Sequence, residues 1–227
     1  MALIISLETS SNVCSVALYN YTELISCSEI LVQKSHSSLL TVMIQQCVEQ
    51  AGYKLSDLNA VAVSAGPGSY TGLRIGASVA KGLCYSLEIP LIAVDTLYSM
   101  GAMVAEFVEP DSIICPMLDA RRMEVYCALL DSRLNVLSPS LPKVLSVDSF
   151  EIELENTQIF FFGNGSDKFY HLLGNKRNAK FLPNIYPSAK GIGKLALKKF
   201  EISDFENVIY FEPNYLKEFV SASKLNS

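Results

Sequence analysis

The chain has 227 residues, which suits one large domain or two small ones. Half of the residues are hydrophobic and 18% are charged, which excludes a disordered chain or a charged tail module. Lysine and arginine number 18 and aspartate and glutamate 23, and the net charge of −5 argues against a strong non-specific grip on nucleic acid by this chain alone. Residues 2–8 and 13–19 are β-rich runs joined by the polar Thr9-Ser10-Ser11-Asn12, and 24–32 gives a third, so an antiparallel meander opens the chain. From 36 to 51 the apolar positions Leu39, Leu40, Met43, Ile44, Cys47, Val48 and Ala51 recur at three and four residues, and Gly52 stops the helix they predict. Residues 60–65 form a small-apolar strand of the kind buried on both faces. A glycine-rich turn, a helix over 72–86 and a buried strand at 90–94 follow, which makes a parallel strand-helix-strand unit.

A faint internal repeat suggests two tandem α/β lobes. Leu7-Glu8-Thr9-Ser10 with Val16-Ala17-Leu18 finds a counterpart in Leu118-Asp119-Ala120-Arg121 with Cys127-Ala128-Leu129. Gly66-Pro67-Gly68-Ser69 finds one in Gly163-Asn164-Gly165-Ser166. The second copy lacks the equivalent of the 36–51 helix, since 148–157 shows no helical stripe, so it is a trimmed version of the first. Glu8 and Asp119 then end equivalent strands on opposite walls of a cleft.

The densest chemical signal is residues 64–76, where Gly66, Gly68 and Gly72 fall between a buried strand and a helix start, with Thr71 as a candidate N-cap. Backbone N–H groups in such a loop can approach an anion, aided by the helix N-terminus; equally, the glycines can serve only the turn and close packing. The segment is not a P-loop, because no Gly-Lys-Ser/Thr follows. It partly imitates a dinucleotide fingerprint, with Asp95 closing the next strand where a ribose-binding carboxylate could sit. Arg74 opposes the helix dipole, so an anionic partner, side chain or ligand explains it better than helix stability does. Asp119, Arg121 and Glu124 either face the cleft or pair locally across a turn, the latter slightly preferred. Lys190, Lys194, Lys198 and Lys199 lie on one helix, read as a solvated face with an RNA or partner contact as the lesser alternative.

The six cysteines form no C-x-x-C pair and suit buried thiols in a reducing compartment, and His36 and His171 are too far apart for a close two-histidine metal motif. No metal site is expected. No apolar run reaches the roughly 18 residues of a membrane span, and no basic segment precedes the short apolar stretch at the start, so the expected compartment is the cytoplasm, with no membrane partner. No G-x-S-x-G elbow occurs; Gly76-Ala77-Ser78-Val79-Ala80 comes nearest and lies inside a predicted helix, which leaves a protease reading without residues.

Three segments carry a family resemblance: residues 65–76, Ile5-Ser6-Leu7-Glu8-Thr9-Ser10 with Cys14-Ser15-Val16-Ala17-Leu18, and Asp119-Ala120-Arg121-Arg122-Met123-Glu124-Val125-Tyr126. With His36-Ser37-Ser38-Leu39-Leu40 and Pro213-Asn214-Tyr215-Leu216 they resemble the TsaB, or YeaZ, family of the actin-like, Hsp70-like and sugar-kinase-like superfamily. The resemblance implies two actin-like, ribonuclease H-like lobes, each a mixed sheet with an antiparallel meander and flanking helices. The first covers 1–98 with the partner-binding helices and glycine-rich loop. The second covers 99–227, with a C-terminal segment able to pack back on the first.

It further implies a non-catalytic subunit in the N6-threonylcarbamoylation of the adenosine beside the anticodon of tRNAs. Such a subunit pairs with the catalytic, metal-holding paralogue TsaD, helps recruit the ATPase TsaE, and meets tRNA only through the complex. No cofactor is expected to bind tightly to this chain alone, because the turn Glu8-Thr9-Ser10-Ser11-Asn12 lacks the glycine that follows the acidic residue in phosphate-binding relatives; ATP or ADP is expected only within the complex. The family more often carries Asp at the position of Glu8. Partner contact falls on the first-lobe helices, at His36, Leu39, Leu40, Met43, Ile44, Cys47 and Leu73. The apolar stripe of the first helix is too wide to be buried against one sheet face, so part of it should meet a partner, with Met43 and Leu40 the chosen contacts, although ordinary core is the favoured reading for any single residue. A homodimer is expected when the paralogue is absent. The glycine-loop candidates for anion contact are Gly66, Gly68, Ser69, Thr71, Gly72 and Arg74, and the cleft candidates are Glu8, Asp119, Arg121 and Glu124. A stand-alone ATP-dependent kinase of the same fold and a nicotinamide-dependent oxidoreductase are the alternatives.

Overall fold

The computed structural model describes residues 2–31, 36–173 and 176–217; Val32 and the side chain of His36 lie outside the described residues. The opening meander is β1 (Leu3–Glu8), β2 (Cys14–Asn20) and β3 (Glu23–Ile30), antiparallel in that order. After α1 (His36–Gln50), β4 (Ala60–Gly66) returns parallel to β1, and α2 (Tyr70–Leu87) carries the chain to β5 (Leu91–Asp95), parallel to β4. The first sheet therefore runs β3-β2-β1-β4-β5.

α3 (Thr96–Val104) leads into β6 (Ile113–Asp119), β7 (Glu124–Asp131) and β8 (Val136–Val144), then α4 (Glu151–Asn156), β9 (Ile159–Phe162), α5 (Ser166–Leu173), β10 (Ala179–Leu182) and α6 (Ala189–Glu201). The second sheet runs β8-β7-β6-β9-β10, with an antiparallel first half and parallel β6-β9-β10, so it repeats the first strand for strand. Glu8 and Asp119 do end equivalent strands. Gly66 closes β4 and Gly163 follows its equivalent β9, with φ of 101° and 94°, a region that L side chains avoid. The second lobe is trimmed as expected, but 148–157 is not without a helix. α4 has six residues, too few to show a stripe, and anchors itself by burying Leu154.

Apolar faces of α1 and α2 cover one side of the first sheet, where Leu40, Met43, Ile44, Cys47 and Val48 meet Leu7, Val16, Leu18, Val61 and Val63. α6 covers the other side, with Ile192, Ala196 and Leu197 against Ile4, Ala62, Ile92 and Val94. α3 packs Leu97, Met100 and Val104 against Ile114, Leu118 and Phe162 of the second sheet, and that lobe's own core is built on Phe150, Phe161 and Phe169. The expectation that α1 is too apolar to be covered by its own chain is corrected here. α1 is flanked by β2, β3 and α2, so a wide stripe is buried from two sides. Leu40, Met43, Ile44 and Cys47 retain 0–3% exposure, while Val42 is 47% exposed. Leu39 is half-buried. Met43→Ala is therefore expected to lower unfolding free energy by about 2–5 kcal/mol, and Val42→Ala to change it by less than about 0.5 kcal/mol, as read by urea denaturation.

Candidate functional site

The glycine-rich loop between β4 and α2 is shaped by contacts from distant parts of the chain. Ser69, not Thr71, caps α2: its backbone is extended and its Oγ accepts the Gly72 N–H at 3.3 Å. Thr71 lies one residue into the helix and is exposed. The Ser69 N–H itself donates to the Ser10 carbonyl at 2.6 Å, and the Thr9 hydroxyl donates to the Gly72 carbonyl at 2.8 Å. A Cβ on Gly68 would stand 2.4 Å from the Ser10 carbonyl oxygen, one on Gly72 2.0 Å from that of Thr9, and one on Gly66 2.7 Å from that of Asn214. The β1-β2 turn and the C-terminal segment thus lie directly on the loop. Of the two readings of these glycines, the geometry favours close packing, because the N–H groups of Ser69 and Gly72 already donate within the chain. Leu73 is buried at 1% exposure in the same contact zone, which removes it from any outer face.

Arg74 is exposed, and its guanidinium stands 4.4 Å over the Tyr70 ring; Tyr70 in turn packs on Tyr215 with ring centroids 4.7 Å apart. A hydrogen bond with Tyr215 further favours the charged guanidinium. The Tyr70 face and the Tyr215 hydrogen bond hold this cation against the helix dipole, and the charge of Glu212 adds to them. The two tyrosines are site residues that the sequence reading passed over; Tyr70, four residues before Arg74 on the same helical face, was the available signal.

Glu8 and Asp119 occupy equivalent strand ends in unlike surroundings. Glu8 is fully buried, its Oε1 accepts the Ser10 N–H at 2.5 Å, and its Oε2 has no hydrogen-bond partner among the described residues. Desolvation by burial raises its carboxyl above the ordinary 4.5, although the Ser10 hydrogen bonds oppose this. Asp119 is partly exposed and pairs with Lys168 at 2.5 Å while accepting the Arg121 N–H at 2.6 Å. Arg121 and Arg122 both adopt left-handed backbone, with φ of 71° and 50°, and Glu124 pairs with Lys217. The preferred local pairing of Asp119, Arg121 and Glu124 is thus a backbone arrangement, and lysines from elsewhere supply the ion pairs. Asp95, the suggested ribose carboxylate, caps α3 by accepting the Leu97 and Tyr98 N–H groups at 2.8 and 3.0 Å. An open cavity of about 460 Å³ lies where β4 and β5 end, between Ala65, Ala93 and the 206–214 segment. No cluster of three metal-ligating side chains exists among the described residues, and no helix among them is long and apolar enough to cross a membrane.

Two lobes of like topology, with a glycine loop turned onto the first-strand turn, define a two-lobed actin-like α/β protein. Residues 29–218 match the family described as "TsaD: tRNA N6-adenosine threonylcarbamoyltransferase". The tRNA threonylcarbamoyladenosine biosynthesis protein TsaB of Buchnera aphidicola subsp. Acyrthosiphon pisum is 30% identical over 94% of this chain and 97% of its own length. The Haemophilus influenzae protein of the same name is 34% identical over 54% of this chain, a match that spans only 51% of that protein. Among solved structures, YeaZ from Pseudomonas aeruginosa superposes with a TM-score of 0.82 at 23% identity, over 95% of this chain and all of that one. The chain belongs to the TsaB family.

Glu8 makes a pH signature. Its folded-state affinity for the proton is raised, so stability is greatest below the ordinary value of 4.5 and falls as pH rises towards the higher folded value. Glu8→Gln, which keeps the shape without the charge, is expected to gain stability relative to the native chain as pH rises from 4.5 to 8; a difference constant across that range in urea titrations contradicts the buried-acid assignment.

Proposed function

We propose that this chain is the non-catalytic subunit supporting N6-threonylcarbamoylation of the adenosine beside the anticodon in tRNAs. In this reading it pairs with a TsaD-like catalytic paralogue, helps recruit a TsaE-like ATPase and meets tRNA only as part of the assembly. Family membership supports the biosynthetic role. The observation behind the silent role is the closed glycine loop, whose Ser69 and Gly72 N–H groups serve Ser10 and Ser69 of the same chain and are not offered to a phosphate. Phosphate binding at this loop would need those groups free, and the suggested dinucleotide site would need Asp95 for a ribose, yet Asp95 is committed to capping α3. Only two histidines occur, far apart in sequence, so the close pair that a TsaD-like subunit uses for metal is not available. ATP or ADP then belongs to the assembly and not to this subunit alone.

Partner contact, if it falls on the first-lobe helices, must use their outer residues. Val42 of α1 and Tyr85 of α2, 47% and 80% exposed, replace the buried Leu40 and Met43 as the apolar candidates. The same face is expected to self-associate when the paralogue is absent. Nucleoside analysis of total tRNA from cells depleted of this protein is expected to show loss of threonylcarbamoyladenosine. Restoration should follow from the native chain and not from Val42→Glu. Normal levels after complete depletion would contradict the proposal.

A further inference from the structure

Residues 206–217 run without helix or extended strand from the first lobe to the second. The first lobe grips them repeatedly. The Glu206 N–H donates to the Leu91 carbonyl at 2.8 Å, the Asn214 N–H donates to the Ala65 carbonyl at 2.7 Å, and Lys81 Nζ donates to the carbonyls of Ile209 and Phe211 at 2.9 and 3.1 Å. Phe211 is buried in the first core. Tyr215 then packs on Tyr70, and Lys217 reaches the second lobe, where it pairs with Glu124 and stands 5.8 Å over the Tyr126 ring.

We infer that this segment is a latch between the lobes: the Lys217–Glu124 tie holds Tyr215 against Tyr70 and thereby keeps the glycine loop and Arg74 in their closed arrangement. The two ends differ in strength. The first-lobe end is held by a buried aromatic ring and several backbone hydrogen bonds. Among the described residues the second-lobe end rests on the Lys217 side chain, through an ion pair whose side chains are 37% and 26% exposed and a distant contact with the Tyr126 ring, so salt screens it and it opens first. Glu124 lies two residues after Arg122, in a turn that Lys168 braces by pairing with Asp119 and donating to the Arg122 carbonyl. Glu124 is therefore a fixed post, and Lys217 is the side that releases. Asn214, whose carbonyl oxygen lies against Gly66, transmits the position of the latch to the loop.

Hydrogen exchange read by mass spectrometry on the full chain tests this. Lys217→Ala and Glu124→Gln are each expected to speed exchange about three- to five-fold in residues 206–217 and also in 66–73, with no larger effect in the double variant. Lys217→Arg should preserve protection, and high salt should mimic the single variants in the native chain. The inference is overturned if 66–73 is unchanged in both single variants or if the double variant shows the sum of two independent effects. A rise spread evenly over β1 and β4 likewise overturns it, since that marks general destabilisation.

Discussion

Thr9 rests its carbonyl and its hydroxyl on the first turns of α2 with no side chain between, and the arrangement of the first lobe follows from that approach. A Cβ at Gly72 would stand 2.0 Å from the Thr9 carbonyl oxygen, so that position must be glycine for the β1-β2 turn to settle there, and one at Gly76 would stand 2.4 Å from the Thr9 hydroxyl, which would have to give way. Once it settles, Ser10 takes the Ser69 N–H, Ser69 takes up the cap of α2, and Glu8 is fully buried with one carboxyl oxygen unpartnered among the described residues. The strand-turn-helix geometry that binds phosphate in other α/β proteins is kept here with its donors turned to internal acceptors.

Electrostatics point the same way. The basic run on α6 is neutralised locally: Lys190 pairs with Glu29 at 3.0 Å, Lys194 with Glu106 at 3.0 Å and Lys199 with Asp204 at 2.7 Å. The first two of these ties also fasten α6 to β3 and to the end of α3, which helps a helix late in the chain cover the first sheet. Each pair is worth little at a solvated surface. Their consequence is geometric, since they hold three of the four lysines of α6 against carboxylates of the same chain.

The meander, α1, the parallel unit and the duplicated topology were legible because periodicity and short turn signals are local properties. What escaped depends on contacts far apart in sequence. Ser69 and Thr71 are equivalent as N-caps by residue type, and only the approach of Ser10 selects Ser69. The contact of Thr9 with Gly72, 63 residues away, has no local signal in the loop. The width of the α1 stripe was readable, but its meaning was not, because nothing local to α1 shows that α2 shields a second side. Met43 and Leu40 were therefore assigned to a partner when they belong to the core. The Lys217–Glu124 tie spans 93 positions and has no sequence signal at all.

The claim that these glycines exist for intramolecular approach is tested most directly by comparing two alanine substitutions in one helix by equilibrium denaturation. Gly82 is exposed in α2 with nothing within 4 Å of an added Cβ, so Gly82→Ala is expected to stabilise the chain by about 0.5–1 kcal/mol. Gly72→Ala must push the Thr9 carbonyl aside and is expected to destabilise it by about 1–3 kcal/mol. If Gly72→Ala stabilises the chain as Gly82→Ala does, the β1-β2 turn does not rest on the helix, and the loop is open to a ligand after all.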